Sequence, residues 1–296
     1  MVDLLKNSLG AIAAVAGASS LFAGSALADD PPKFTYSFNV GIASNYVFRG
    51  YSQNKEDPAL QGGIDLGYGI AYFGLWASHI NFGNEGDAVG GGSLNLRQVK
   101  TELDVYGGIK PVLGPATFDL GVILYSYPGE NADGAVRLQV EEQNYVEFKA
   151  GVSGAFIPSL DKLTLGATAW YSPEYQTKQG SVWTFEETAA YELPAVGPLT
   201  PTISATLGEQ VGDSTGIVGT TKVGKFNLGN GSDDLTYWNV GVTLAVEKLS
   251  FDFRYWGTDV SSKGGSTGNN FCSGVAVTGS YNQCGDQFAF IGKFTY

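Results

Sequence analysis

Apolar and polar residues alternate along most of this chain, and the last ten residues show the pattern most clearly. Phe288, Phe290, Phe294 and Tyr296 fall on every second position, with smaller or polar residues between them. This alternation is typical of a β-strand with one apolar face. A soluble protein seldom ends on such a strand, because the unpaired edge would template aggregation. The pattern therefore predicts that this C-terminal strand is paired and that an apolar medium covers its aromatic face.

The same alternation recurs in segments of about ten residues, separated by turns, and no stretch of useful length has a helical period. The predicted strands span 36–49, 58–68, 71–82, 99–110, 116–126, 144–156, 162–172, 181–191, 201–209, 235–246, 249–259 and 286–296. Short and long connections alternate between them. The short ones lie around Gly69 and at 111–115, 157–161, 192–200 and 247–248, and the other set is mostly longer.

An even number of antiparallel strands, with short turns at one end and long loops at the other, is typical of an outer-membrane β-barrel. The predicted fold is all-β: a transmembrane antiparallel up-and-down barrel of about twelve strands, with short periplasmic turns and longer extracellular loops. In a closed barrel the last strand pairs with the first, and lipid covers the outward aromatic side chains. A soluble β-sandwich is the alternative, but its loops would not need to divide into short and long sets.

The N-terminus predicts export. Lys6 precedes an Ala-rich apolar stretch, and Ala26-Leu27-Ala28 forms a small-x-small cleavage site. Residues 1–28 are therefore predicted to be a signal peptide, 29–35 a short periplasmic segment, and 36–296 the barrel. A membrane anchor is the alternative, but the apolar stretch is short for a span. We accordingly expect the chain in the outer membrane of a Gram-negative bacterium, inserted by the barrel-assembly machinery.

Composition narrows the chemistry. The chain has 42 glycines, 16 tyrosines and 17 phenylalanines but one histidine, and its net charge of −12 argues against a nucleic-acid partner. Cys272 and Cys284 lie in a predicted extracellular loop of an exported chain, where a disulfide is expected. No second cysteine pair or histidine lies near them, so we expect neither a metal nor a cofactor.

Charged side chains select the inside of the predicted barrel, because a lysine or arginine facing lipid at the midplane costs about 2–4 kcal/mol. Glu186 and Glu187 cannot both face the inside, because neighbouring residues of a strand point to opposite faces. We place Glu187 on the outside, near a membrane interface. The alternation predicts these pore-lining residues: Arg49, Asp65, Lys100, Glu102, Asp104, Asp119, Glu147, Lys149, Glu186, Asp252, Arg254 and Lys293.

Residues 44–69, "SNYVFRGYSQNKEDPALQGGIDLGYG", resemble the opening hairpin of the TorF-like family of outer-membrane porins, exported proteobacterial proteins. The matching residues are Ser44, Tyr46, Phe48-Arg49-Gly50, Ser52-Gln53, Pro58-Ala59 and Gln61-Gly62-Gly63, followed by the Gly-x-Trp-x-Ser segment within 73–83. Family members often have Asp where this chain has Asn45. The resemblance covers about the first fifth of the mature chain and implies a passive outer-membrane pore.

Arg49 falls on the inward register of the first predicted strand, whereas Tyr46 and Phe48 fall on its lipid register. Arg49 could form a constriction or gate, or it could pair with a carboxylate such as Asp65 and hold the barrel in shape. We favour the pairing, because confined arginines usually have a carboxylate partner.

The resulting expectation is a narrow channel for passive diffusion of small hydrophilic solutes or ions, with a weak preference for cations. A structural or adhesive barrel without transport is the main alternative. An outer-membrane hydrolase is less favoured, because His79 has Ala77 and Asn81, not a serine, as its neighbours on the same face. We expect no enzymatic activity.

Overall fold

The computed structural model describes residues 32–81, 99–128, 144–176, 180–212, 216–218, 221–223, 234–259 and 284–296. Within these ranges, twelve long β-strands form one wall. They are β1 (Phe34–Ala43), β2 (Ala59–Tyr68), β3 (Ala71–His79), β4 (Thr101–Ile109), β5 (Ala116–Ser126), β6 (Tyr145–Gly154), β7 (Leu163–Ser172), β8 (Val182–Glu192), β9 (Thr200–Gly212), β10 (Asp234–Val246), β11 (Leu249–Thr258) and β12 (Gln287–Thr295).

The wall is a closed barrel. Each strand pairs antiparallel with the next one along the chain, and β1 pairs with β12 to complete the ring. The closing register sets Ala43 opposite Ile291 and Asn39 opposite Thr295. Closure satisfies the backbone hydrogen bonds of the terminal strands, and this answers where the aromatic C-terminal strand finds its partner.

The two ends of the barrel differ in their connections. Tight turns at 69–70 and 247–248 lie at one end, which we call the short-turn end, together with a 3₁₀ turn at Pro158–Leu160 and a two-residue strand at Val112–Leu113. The connections at the opposite, long-loop end include 44–58 and the segment between β9 and β10, in which Gly216–Val218 pairs with Thr221–Val223. No helix among the described residues is long and apolar enough to span a membrane.

The strands alternate between an apolar outer face and a more polar inner face. Outward side chains are widely exposed, for example Ile42 at 61% and Phe288 at 62%. Phe290, Phe294 and Tyr296 share the outward register of Phe288. Asp65, on the inward face of β2, is buried. An apolar exterior around a charged interior is the arrangement that a membrane-spanning barrel requires.

The predicted fold class and strand number are confirmed, and most strand ends lie within a few residues of the prediction. The first strand is the main exception. It ends at Ala43 rather than at 49, so the prediction that Tyr46 and Phe48 face lipid was wrong. Tyr46 is buried and Phe48 is half-buried, both inside the barrel.

Glu187 also differs from expectation. It faces outward and is exposed, and it lies at the middle of β8, farther from the strand ends than predicted. Its cross-strand neighbours are Ala167 on β7 and Leu207 on β9.

Candidate functional site

Between β1 and β2 the chain turns into the barrel and forms a small hairpin, residues 47–52, which we call the lumen hairpin. Val47 pairs with Ser52 and Phe48 with Tyr51, so Arg49 and Gly50 form the two-residue turn. Both turn residues have positive φ, 49° for Arg49 and 84° for Gly50. A two-residue turn with positive φ at both positions is the type I′ geometry that matches the twist of a hairpin.

The base of the hairpin is fixed by amide side chains. Asn45 donates to Oε1 of Gln287 on β12 at 2.8 Å, and it accepts from the Ser52 hydroxyl at 2.7 Å. The Asn54 side chain accepts from the backbone N–H of Tyr46 at 2.9 Å. These contacts tie both arms of the hairpin to each other and to the strand that closes the barrel.

The turn itself is held by an ion pair. The Arg49 guanidinium donates to both carboxylate oxygens of Glu147 on β6, at 2.8 and 2.9 Å, and the Tyr125 hydroxyl donates to the same carboxylate at 3.1 Å. Arg49 is 3% exposed. Burial lowers the pKa of Arg49, but the Glu147 carboxylate more than offsets this, so the pKa lies well above its usual value. Such bidentate charge-assisted pairs are strong and directional.

Gly50 forms the tip of the hairpin and contacts the strands that follow β1 on the β12 side of the ring. The side-chain amide of Gln287 donates to its carbonyl oxygen at 3.2 Å. A Cβ atom on Gly50 would lie 2.4 Å from Cγ2 of Thr258 and 3.1 Å from Cβ of Tyr237. Arg49, the other turn residue, reaches Glu147 on β6. The lumen hairpin therefore crosses the long-loop end of the barrel and packs against β6, β10, β11 and β12.

Tyrosines and carboxylates surround the hairpin. The Tyr46 hydroxyl donates to Glu102 at 2.7 Å, and the Tyr237 hydroxyl donates to Glu186 at 2.7 Å. Asp104 differs from these acids: it is 1% exposed, and neither of its carboxylate oxygens has a hydrogen-bond partner in the described part of the chain. Tyrosine hydroxyls thus donate hydrogen bonds to Glu102 and Glu186, whereas Asp104 receives none from the described residues.

A second arginine lies within the wall. Arg254 on β11 donates twice to Asp252 at 3.0 Å, to Asn239 on β10 at 2.6 Å and to Ser204 on β9 at 2.9 Å. Thr243 adds a bond to the Asp252 carboxylate at 2.7 Å. This network joins three neighbouring strands at their inner face.

Toward the short-turn end the charges are more accessible. Lys149 on β6 lies 2.7 Å from Asp119 on β5, and Lys110 lies 3.8 Å from the same carboxylate oxygen. The Tyr72 hydroxyl donates to the other oxygen of Asp119 at 2.8 Å. Burial lowers the pKa of Lys110, and Asp119 partly offsets that effect.

A family model matches residues 26–280, and its description reads "Bacterial protein of unknown function (Gcw_chp)". The chain belongs to this family. No curated protein matches the Gcw_chp chain.

Among solved structures, the Gcw_chp chain is similar to a NanC porin at 9% identity and a TM-score of 0.46, covering 88% of this chain and 98% of that one. It is similar to LpxR from Salmonella typhimurium at 12% identity and a TM-score of 0.43, covering 88% and 99%. It is also similar to the outer membrane channel DcaP of Acinetobacter baumannii, at 11% identity and a TM-score of 0.39, covering 91% and 99%. Similarity at this level carries no information about function.

Most of the sequence-predicted site residues of the Gcw_chp chain lie on the inner face of the wall. These are Asp65, Glu102, Asp104, Asp119, Glu147, Lys149, Glu186, Asp252, Arg254 and Lys293. Lys100 precedes β4 and is exposed. Arg49 lies inside the barrel, but on the lumen hairpin rather than on a wall strand, and its carboxylate partner is Glu147 rather than Asp65.

Sequence reasoning missed Lys110, the lumen hairpin and the pairing of Arg49 with Glu147. The available signal for the hairpin was Arg49-Gly50 between the two-residue segments Val47-Phe48 and Tyr51-Ser52, because glycine favours a turn with positive φ. Cys284 is buried, but Cys272 lies outside the described residues, so the disulfide stays a prediction. The described residues contain no group of three acidic, histidine or cysteine side chains that could hold a metal ion.

Proposed function

We propose that this chain is a porin-like channel of the Gram-negative outer membrane, exported with a cleaved signal peptide and inserted by the barrel-assembly machinery. It would allow passive diffusion of small hydrophilic solutes or ions. The observation that carries the proposal is a closed barrel with an apolar exterior and charged side chains directed inward. Lipid accommodates the first face, and an aqueous or polar path accommodates the second.

We infer that the channel is narrow. A twelve-stranded barrel lies between eight-stranded barrels, which are filled by side chains, and sixteen-stranded porins, which leave a wide aqueous channel. The lumen hairpin occupies part of the long-loop end, and it is tied to β6 and β12. Passage past this hairpin would therefore be restricted to small species or would require its displacement.

A weak preference for cations follows from the inward charges. The described acids of the lumen are Asp65, Glu102, Asp104, Asp119, Glu147, Glu186 and Asp252, against the bases Arg49, Lys110, Lys149, Arg254 and Lys293. The net charge of the whole chain is −12. An acidic lumen concentrates cations, and salt screens this field because the Debye length falls to about 3 Å at 1 M.

The resemblance of residues 44–69 to the TorF-like porins is consistent with this proposal. That segment contains both the lumen hairpin and β2, so the resembling residues include those that enter the barrel as well as part of its wall.

A structural or adhesive barrel without transport is the second candidate. It is favoured by the dense packing of the long-loop end, where Tyr46, Val47, Tyr125 and Tyr237 are all buried. A hydrolase has less support: His79 is exposed on the outer face, while the adjacent Ser78 is buried on the inner face.

The decisive experiment is single-channel recording of the folded full-length protein in a planar bilayer. We expect small, uniform conductance steps and, in a KCl gradient at low ionic strength, a reversal potential of cation sign that shrinks as salt rises. A reversal potential of anion sign would contradict the charge argument. Absence of conductance, from protein that shows β-dominated circular dichroism and heat-modifiable gel mobility, would favour the structural barrel.

A further inference from the structure

The buried carboxyl of Asp104 is the least satisfied polar group in the described lumen. Both of its oxygens lack a hydrogen-bond partner among the described residues, and the side chain is 1% exposed. It lies on the inward face of β4, two residues from Glu102 and close to Glu147. A buried carboxylate without donors or a counter-ion is strongly unfavourable, and such a group takes up a proton instead.

The neighbouring groups explain why the proton would reside on Asp104. Glu147 has the guanidinium of Arg49 and the Tyr125 hydroxyl, and Glu102 has the Tyr46 hydroxyl. The ion pair of Arg49 is thus made with Glu147 and not with Asp104. The titratable side chains that surround Asp104 come from β4, β5 and its following residue, β6 and the segment before β2: Glu102, Tyr106, Tyr125, Tyr127, Glu147 and Tyr46. Arg49 is linked to this group through its pair with Glu147. From β3, the uncharged Trp76 and Ser78 face the same side.

If Glu102, Asp104 and Glu147 were all ionised, Arg49 would balance only one of three negative charges. Both Asp104 oxygens are buried, so the packed state leaves no room beside them for a hydrated cation. A proton needs no such room. One proton on Asp104 removes one of the two unbalanced negative charges and turns an unpaired carboxylate into a neutral acid. The six other inward acids still outnumber the five inward bases, so the sign of the proposed cation preference does not change.

The segment that carries the lumen hairpin covers this acid. The Tyr46 ring packs edge-on against Trp76, with ring centroids 5.5 Å apart, and Trp76 is the cross-strand neighbour of Asp104. The other cross-strand neighbour of Asp104 is Tyr125, and the Phe48 ring of the hairpin packs against Tyr125 with ring centroids 5.9 Å apart. Hydration of an ionised Asp104 would have to disturb these two aromatic contacts, which are made by Tyr46, directly before the hairpin, and by Phe48 within it. Ionisation of Asp104 and docking of the hairpin therefore oppose each other.

We propose that Asp104 is a proton-binding site that holds the lumen hairpin docked, and that release of this proton to water undocks the hairpin. The docked state binds one proton more than the undocked state, in which a hydrated aspartate is ionised at neutral pH. By linkage, acid stabilises the docked state, and that stabilisation is lost as pH rises. The proposed proton site does not depend on channel activity. Only its expected effect on conductance rests on the proposed channel function.

The first test is infrared spectroscopy of the folded full-length protein, since a protonated carboxyl has a carbonyl stretch distinct from that of a carboxylate. We expect this band at neutral pH, its loss as pH rises, and its absence in Asp104→Asn. Glu187→Gln, a matched acid-to-amide change on the outer face, should leave the lumen band in place. Absence of the band in folded wild-type protein at neutral pH, or its persistence in Asp104→Asn, would overturn the proposal. If Asp104→Asn does not fold, the wild-type pH titration still decides whether a buried carboxyl is protonated, and Asp104→Ser serves as the second variant to assign it.

The second test asks whether the proton controls the hairpin. Hydrogen exchange of residues 47–52, corrected for the intrinsic effect of pH, should lose protection as pH rises in the wild type and keep it in Asp104→Asn. Equal loss of protection in both proteins would refute the link between proton and hairpin. In a bilayer, the same pH change should raise conductance in the wild type alone; no conductance with an intact infrared and exchange result would refute the channel and leave the proton site standing.

Discussion

Arg49 and Arg254 are two buried arginines inside the same barrel, with 3% and 2% of their surfaces exposed, yet they do different work. Arg254 belongs to the wall strand β11 and bonds to that strand, to the adjacent β10 and to β9 beyond it. Arg49 belongs to a hairpin and bonds to Glu147, 98 residues away. The bonds of Arg254 can break only if the wall strands separate, whereas the bonds of Arg49 to Glu147 can break when the hairpin moves. The difference distinguishes a residue that joins strands of the wall from one that holds a hairpin inside the barrel.

The largest expected effect is on the wall. Arg254→Met leaves Asp252 buried without its guanidinium partner, and breaking a buried pair in this way costs about 3–5 kcal/mol. We expect the barrel to unfold at markedly lower temperature, measured by heat-modifiable gel mobility. The double variant with Asp252→Asn should recover much of this loss, since no buried charge then remains. An unchanged midpoint in Arg254→Met would contradict the role assigned to the wall network.

The second effect is on closure. Arg49→Gln removes both bonds to Glu147, but the hairpin can leave the lumen and let Glu147 hydrate. We therefore expect higher conductance and faster proteolysis near residues 47–52, with a barrel midpoint much closer to wild type than that of Arg254→Met. Glu147→Gln is the matched variant and should behave alike. Equal destabilisation of the barrel by Arg49→Gln and Arg254→Met would remove the distinction between the two arginines.

A smaller effect should come from the hairpin tip. Gly50→Ala places a methyl group 2.4 Å from Thr258 at a φ of 84°, and an alanine in this region costs about 1–3 kcal/mol before any clash. We expect partial opening, measured as increased hydrogen exchange in the hairpin. Gly114→Ala is the control: it also has positive φ, 59°, but no atom lies within 4 Å of its added Cβ. Similar exchange of the hairpin in both variants would show that contact with Thr258 is unimportant.

The smallest effect is expected at the surface of the short-turn end. Lys162 and Glu192 form an exposed pair at 3.4 Å, and exposed pairs contribute about 0–1 kcal/mol. Lys162→Met should leave both the barrel midpoint and the hairpin exchange near their wild-type values. A large shift in either would mean that the unfolding assay responds to charge in general rather than to the buried networks.

The wall was predictable from the sequence because alternation with period two is a local signal, and each strand repeats it. The same signal hid the lumen hairpin. Residues 44–49 continue the alternation of β1, so nothing local separates a strand that stays in the wall from one that turns inward after Ala43. The two outcomes differ in their distant partners, Gln287 and Glu147, and periodicity contains no information about contacts so far apart.

Glu186 and Glu187 illustrate the same limit on a smaller scale. The alternation required one of these neighbours to face outward, and Glu186 faces inward, where Trp170 and Tyr237 donate to it. The depth of Glu187 in the wall was predicted wrongly, because the height of a residue depends on where its strand begins. That boundary is set by the register with β7 and β9 rather than by the sequence of β8 alone.

The pairing of β1 with β12 has a consequence for the order of assembly. Every other neighbouring pair of wall strands is consecutive in sequence, so the wall can grow strand by strand, but its final seam joins the two ends of the barrel sequence. Contacts of such long sequence separation form late, because the intervening chain must be ordered first. Until β12 arrives, a growing barrel has two unpaired edges, and hydrocarbon offers no partner for either. Truncation before Gln287 would therefore be expected to arrest the chain as an open sheet, even though nine of the eleven remaining wall strands already have both neighbours.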